Sequence, residues 1–198
     1  MAVAQSVNAA LDAIELIDVR YETLPCVSGI AAAIADGAPS LWPDAPRNTI
    51  GCYEYGDARA CSKVFDTAPH TVRLRVTQPR VAAAPLEPRA ALAIWDKSRQ
   101  HATLHSCSQT PHMSRQLLCE VLDLSPEQLT VRVGDIGGGF GSKVAMHPEE
   151  ALVLIAARMT DRPVRWVADR SESFLADTHG RDHLSDCELA LDGDGHFL

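Results

Sequence analysis

No stretch of this sequence approaches the roughly 18 consecutive apolar residues of a membrane-spanning helix, so its 198 residues hold no candidate span. Basic clusters are missing as well. Eighteen Lys and Arg stand against 26 Asp and Glu, giving a formal net charge of −8, and the basic residues are scattered, which excludes the electrostatic footprint of a nucleic-acid partner. The opening stretch MAVAQSVNAALDAIEL lacks the basic-then-apolar order of a signal peptide, and the expected location is the cytoplasm. Cysteines are present but never as C-x-x-C. Cys26, Cys52, Cys61, Cys107, Cys119 and Cys187 are spread over the whole chain, unlike a disulfide framework or zinc knuckle, and are expected to be reduced and partly buried. What remains, 46% hydrophobic and 22% charged, is ordinary for a globular chain with one sizeable core or two small ones.

Periodicity supplies the element order. Val7, Ala10, Leu11, Ile14 and Ile17 fall at helical spacing over residues 5–18, and VRYETLP (19–25) alternates like a strand before its proline. Residues 37–57, with three prolines and three glycines and no period, read as an extended connector. Strands are expected at 71–77, 91–96, 101–108, 129–135 and 164–169. A helix begins at Pro111 behind Thr110, with Met113, Leu117, Leu118, Val121 and Leu122 on its apolar face, and a second begins at Pro148. Residues 125–128, SPEQ, form a capping-box pattern or a turn. The fold class is α+β, with a strand, glycine loop, helix, strand grammar inside it.

That loop, DIGGGFGSK (135–143), sets four glycines around one phenylalanine ahead of a helix. Bare backbone N–H groups at such a place suit a phosphate-bearing or otherwise polar ligand. Two familiar templates fail. A P-loop needs Lys directly after its glycine and then Ser or Thr, whereas Ser142 precedes Lys143; a dinucleotide fingerprint needs a glycine where Ser142 stands. A glycine turn serving only tight strand–helix packing explains the spacing equally well. Other polar residues carry less. His101 and His105 are four apart but in a strand pattern, so they do not make a helical metal pair. Glu149 and Glu150 suit the dipole of a helix start, Gln109 suits an amide capping the helix at Pro111, and HGRDH (179–183) reads as a solvated loop.

The residues of the loop closely resemble the first molybdenum-cofactor loop of the molybdenum hydroxylase family, which includes xanthine dehydrogenase, aldehyde oxidase and aerobic carbon monoxide dehydrogenase. The likeness continues in order and spacing through DAIELIDVRYETLP (12–25), PLEPRAALAIWD (85–96), SCSQTPH (106–112) and RPVRWVADRSESFLADTHGRDH (162–183). The resemblance implies that residues 1–36 are the C-terminal part of an α/β hammerhead domain, 37–57 a connector, and 58–198 a partial first molybdopterin-binding domain. It implies that Gly138, Gly139, Phe140 and Gly141 lie against the pyranopterin and the oxygen ligands of the metal, that Phe140 walls the pocket, and that Gln109 donates a hydrogen bond to an oxygen on molybdenum. Val144 stands where purine-oxidising members carry a substrate-binding glutamate, which argues against xanthine as substrate.

The implied cofactor is molybdenum–molybdopterin, its cytosine dinucleotide form left open, with iron–sulfur clusters and FAD in partner subunits or domains. The implied chemistry is hydroxylation of aldehydes, N-heterocycles or related small molecules with water as the oxygen source. Its base, a glutamate far towards the C-terminus in the family, is expected beyond Leu198, so no catalytic residue and no protein ligand to a metal is assigned here. On this reading the chain is an N-terminal-side fragment that needs the remainder of a large subunit. Two alternatives stand beside it: a non-catalytic remnant or assembly module of such a subunit, and a nucleotide- or phosphate-binding domain.

Overall fold

Apolar residues at every second position, Ala91 and Ala93 in one segment and Ala102 and Leu104 in the next, put one face of two neighbouring strands into a common core. The computed structural model describes residues 1–198 throughout. Its elements run α1 (Val7–Glu15), α2 (Ile30–Ala33), α3 (Ala58–Thr67), β1 (His70–Ala82), β2 (Ala90–Asp96), β3 (His101–Ser106), α4 (Pro111–Leu122), β4 (Leu129–Arg132), α5 (Pro148–Thr160), β5 (Val164–Val167), α6 (Arg170–Ala176) and β6 (His179–Leu191). Short 3-10 turns occupy Pro46–Asn48 and Pro126–Gln128. The α+β class holds.

Contacts divide the chain into two compact units, residues 1–20 with 82–180, and residues 21–81 with 181–198. These units do not coincide with the boundaries expected from sequence at 36 and 57. The first unit carries a four-stranded sheet in the order β4-β3-β2-β5. Strand β2 is antiparallel to both β3 and β5, and β3 is parallel to β4, so β3, β4 and β5 share one direction. Helix α4 makes the crossover that a parallel β3–β4 pair requires. Helix α5 packs on β2, β3 and β5, α4 packs on β4, and the two helices touch. Leu118 and Cys119 of α4, Leu129, and Ala151, Val153, Leu154 and Ala157 of α5 close the core against the four strand residues. Burying Leu104 and Leu118 completely contributes on the order of 2 kcal/mol each. Helix α1 belongs to this unit yet buries none of its residues.

The second unit holds the two-stranded β1–β6 sheet with α2 and α3, and its buried apolar residues are Ala45 and Ala190. Charge rather than hydrophobicity pairs its strands: Arg73 with Glu188 at 2.9 Å, Arg75 with Asp186 at 2.5 Å and Arg80 with Asp182 at 2.8 Å.

Several expectations need correction. Residues 19–25 form no strand: Val19 and Tyr21 are exposed, so their alternation covers no core, and no strand of either sheet pairs with them. Residues 179–183 are not a loop but the start of β6, whose polar residues alternate on an exposed ribbon. Helices α3 and α6 were not anticipated. Each starts at an aspartate cap, Asp57 Oδ1 accepting from Ala60 N–H and Asp169 Oδ1 from Glu172 N–H. The cysteines are all free, but only Cys119 is buried and Cys107 half-buried; the other four are exposed. The SPEQ segment does close a capping box between Ser125 and Gln128.

Candidate cofactor-binding site

Two connections leave the sheet at the same edge, β3 into α4 and β4 into the glycine loop, because the two strands are parallel. Their contents meet. Gln109 Oε1 accepts hydrogen bonds from Gly141 N–H and from Lys143 N–H, each at 3.2 Å, and Gln109 N–H donates to the Lys143 carbonyl at 2.8 Å. Gln109 therefore does not cap α4. Thr110 is the N-cap residue there, with its hydroxyl turned to the Val144 carbonyl at 2.6 Å instead of to the helix. Both bonds to the loop use Oε1, which leaves the Gln109 amide nitrogen as a donor the loop does not consume.

The glycines divide by task. A Cβ on Gly139 would lie 2.5 Å from Gln109 Cδ, and one on Gly137 would lie 2.6 Å from Glu87 Cβ, so these two are glycines because side chains of this chain press on them. Gly138 and Gly141 have φ of +98° and +91°, which a side chain disfavours. Gly141 differs in having nothing within 4 Å of where its Cβ would stand. Phe140 has φ +51° and is 79% exposed, so it forms no part of the core. Within the chain the loop's hydrogen bonds engage the N–H groups of Gly137, Gly141, Ser142, Lys143 and Val144. Those of Gly138, Gly139 and Phe140 have no partner in the chain. Three successive unspent donors, a bare glycine face and a free amide nitrogen are what a ligand rich in acceptor oxygens requires.

A buried polar scaffold supports the loop from behind, and sequence reasoning missed it. Lys143, 2% exposed, reaches Glu87 at 2.7 Å, and the same Glu87 oxygen accepts from Gly137 N–H at 2.9 Å. The hydrogen bond from Lys143 holds the Glu87 carboxyl below its usual range, against partial burial and with help from Gly137. His147 Nε2 donates to the Ser142 carbonyl at 2.9 Å while its other ring nitrogen accepts from Glu150 N–H, so one imidazole ties the loop to the first turn of α5. Glu150 completes the capping box through His147 N–H at 3.1 Å and accepts from Ser106 Oγ at 2.5 Å. Ser108 and Ser114, both buried, pair at 2.8 Å beneath Gln109.

Arg89 anchors the next layer. Its Nε donates to Asp177 at 2.6 Å and its Nη1 to Glu149 at 2.8 Å, with the guanidinium 5.2 Å from the Trp166 ring centroid. Burial alone would raise the Glu149 carboxyl and is the largest single influence on it, but the hydrogen bonds and positive charge around it, those of Arg89 foremost, together outweigh burial and the group ionises below its usual value. Glu149 and Glu150 thus do more than balance a helix dipole. Arg89 Nη2 is buried without a protein partner, beside a cavity of about 20 Å³ lined also by Ser106, Cys107, His147, Glu150 and Trp166, room for one water. The signal for this scaffold was the charged Glu87-Pro88-Arg89 abutting the apolar AALAIW, and a lysine two residues behind a glycine run.

Elsewhere little competes. His101 stays in β3 with Nε2 3.0 Å from Thr130 Oγ1. Asp192, Asp194 and His196 cluster in an exposed turn, where the Asp192 carboxylate accepts from the backbone N–H groups of the other two. No helix is long and apolar enough to cross a membrane.

Comparison with known proteins bears on the same residues. The carbon monoxide dehydrogenase large chain of Hydrogenophaga pseudoflava is 34% identical over 201 aligned residues, covering 96% of this chain and 25% of that one. The nicotine 6-hydroxylase large subunit of Paenarthrobacter nicotinovorans is 32% identical, covering all of this chain and 24% of that one. Among solved structures, quinoline 2-oxidoreductase of Pseudomonas putida 86 superposes with a TM-score of 0.85 at 35% identity over 98% of this chain and 25% of that one. The chain thus spans about a quarter of the length of these two relatives. Residues 41–198, which include every residue of the loop and of its scaffold, match the molybdopterin cofactor-binding domain, and the chain belongs to that family.

Proposed function

We propose that this chain is the molybdopterin-binding part of a molybdenum-dependent oxidoreductase large subunit, and that Gln109 and the Gly138–Gly141 loop face the cofactor. The observation that carries the reading is the set of unspent donors at one sheet edge: the N–H groups of Gly138, Gly139 and Phe140 together with the Gln109 amide nitrogen, beside the uncovered face of Gly141. These residues fit the group. Glycine at 141 permits backbone approach, the donors suit oxygens on the metal and the pterin, and Phe140 supplies a wall that the core does not use.

When bound, the cofactor supplies the redox chemistry by which this family hydroxylates aldehydes, N-heterocycles and related substrates with water. The chain's own residues position and polarise. Gln109, fixed through Oε1, presents its amide N–H outward at a constant angle, and the loop holds its free N–H groups rigid because its two ends are bonded to Glu87, Gln109 and His147. The acids of this scaffold are all engaged, and none of them is available as a base. Glu149 and Asp177 are paired with Arg89, Glu150 is occupied by His147 and Ser106, and Glu87 by Lys143. The base belongs to the remainder of the subunit, and iron–sulfur and FAD partners carry the electrons. On the same reading residues 1–36 close a hammerhead domain, 37–57 connect, 58–198 form part of the first cofactor domain, and the enzyme works in the cytoplasm.

The experiment is metal and pterin analysis of the protein isolated with its natural partners. The expected result is molybdenum and a fluorescent oxidised pterin in equal amounts, with both strongly reduced by Gly141→Val and with activity lowered further than content by Gln109→Ala. Pterin-free protein that binds a mononucleotide at the loop would overturn the reading. Nucleotide analysis of the released pterin decides whether it carries cytosine dinucleotide.

A further inference from the structure

We propose that Glu87 and Lys143 are positioning residues, an ion-pair latch with its lysine buried that closes the glycine loop into a ring and sets its shape before any cofactor arrives. The geometry rests on three links. Glu87 and Gly137 are joined twice, through Gly137 N–H to the carboxylate at 2.9 Å and through Glu87 N–H to the Gly137 carbonyl at 3.3 Å. Lys143, six residues further on, donates from Nζ to the same carboxylate oxygen at 2.7 Å. Lys143's own backbone is held by Gln109 on both sides, N–H to Oε1 and carbonyl to N–H. Gly137, which opens the glycine run, and Lys143, two residues past its end, are thereby tied to one oxygen atom, and the segment between them, Gly138 to Ser142, is left as an arch.

The latch needs these residue types. A lysine side chain that is 1% exposed cannot leave its ammonium unpaired, and Glu87 is the carboxylate that meets it. Glu87 itself is 39% exposed, so it tolerates losing its partner far better than Lys143 does. Gly137 cannot carry a side chain, because a Cβ would stand 2.6 Å from Glu87 Cβ, so the close seating of the latch and the bare backbone of the arch are one requirement. Lys143 also explains why this loop is not a phosphate-binding P-loop. Its ammonium is turned into the protein, where it fixes the arch, and offers no charge to a ligand above it.

The test measures hydrogen exchange in the full chain with whatever subunits it is isolated with. Lys143→Met keeps the buried volume, removes the charge and leaves a half-exposed carboxylate, so it is the variant most certain to fold. We expect its hydrogen-bonded amides at Gly137, Gly141, Ser142 and Lys143 to exchange about tenfold faster or more, while those of Val153, Leu154 and Ala157 in α5 keep their protection. Glu87→Ala should loosen the same amides and also destabilise the chain, and combining Glu87→Gln with Lys143→Met should restore Gly137 protection, because an amide oxygen still accepts its N–H and no buried charge is left. Unchanged loop exchange in Lys143→Met would overturn the latch, as would equal acceleration in the loop and α5, which marks general destabilisation. That the arch receives the cofactor rests on the preceding proposal and is read separately: a loosened loop with undiminished molybdenum content supports the latch and counts against that proposal.

Discussion

Gly139 and Gln109 are coupled so tightly that replacing either should do nearly the same damage. In Gly139→Ala the new Cβ would stand 2.5 Å from Gln109 Cδ and 3.0 Å from its Cγ. Gly139 is buried in the loop while Gln109 is exposed, so the side chain moves rather than the backbone. Its departure removes two hydrogen bonds to Oε1, about 1 kcal/mol each, and leaves the part-buried Lys143 N–H without an acceptor, for a total of about 2–4 kcal/mol. Gln109→Ala loses the same two bonds and should cost about the same. In the double variant the clash has nothing to strike, so the loss should match either single one, a coupling of about 2–4 kcal/mol.

Equilibrium urea unfolding, followed by the fluorescence of Trp95 and Trp166, measures this, since both rings pack against the core whereas Trp42 is 68% exposed. Gly141→Ala is the contrast. Its Cβ enters open space, its cost is the backbone's alone, about 1–2 kcal/mol for a side chain at φ +91°, and it should not depend on the residue at 109. Single losses at 139 and 109 that add to within about 0.5 kcal/mol would refute the contact on which this reasoning stands.

Arg89→Met should be among the most damaging single changes, about 3–5 kcal/mol in the same unfolding assay, because Asp177 and Glu149 would remain as unpaired carboxylates in a buried place. The Glu87 carboxyl ionises lower when folded than when unfolded, so its contribution is complete above the unfolded value of about 4.5 and is lost as pH falls through the folded one. The decline in unfolding midpoint between about pH 5 and pH 3 should therefore be shallower in Glu87→Gln than in the parent, and an equal slope would show that Lys143 does not stabilise the ionised form. Alkylation of the native protein should mark Cys26, Cys52, Cys61 and Cys187 rapidly and spare Cys119, whose thiol burial pushes up and keeps protonated; mass spectrometry after timed quenching reads the order.

The sequence pattern disclosed those elements whose stability comes from a common apolar face. Ala91, Ala93, Ala102 and Leu104 alternate, and the apolar spacing of 111–122 and the proline start at 148 survive in α4 and α5. The second unit's ribbon stayed hidden for the opposite reason. Arg73, Arg75, Asp186 and Glu188 keep a period of two, but in charge, and a search for apolar alternation passes over them. Residues 19–25 show the converse error. Val19 and Tyr21 alternate, yet both remain exposed and no strand of either sheet pairs with them.

At the site, the glycine run was legible as a loop meant for close approach, but not which glycine approaches what. That distinction requires the two side chains that press on the loop, and both come from far away in sequence, Glu87 some fifty residues earlier and Gln109 about thirty. Inward demands account for Gly137 and Gly139, since their missing Cβ atoms make room for residues of this chain. Only Gly141 is bare towards open space. The explanation by packing and the explanation by ligand approach were therefore never rivals for the whole motif: each holds for different positions, and the first makes the second possible. An arch of free N–H groups stays open only if its feet are fixed, and Glu87, Lys143 and Gln109 fix them with groups that take no part in the open face. Substitutions at 137 or 139 should consequently act through stability and loop order, and those at 141 through what the loop can hold.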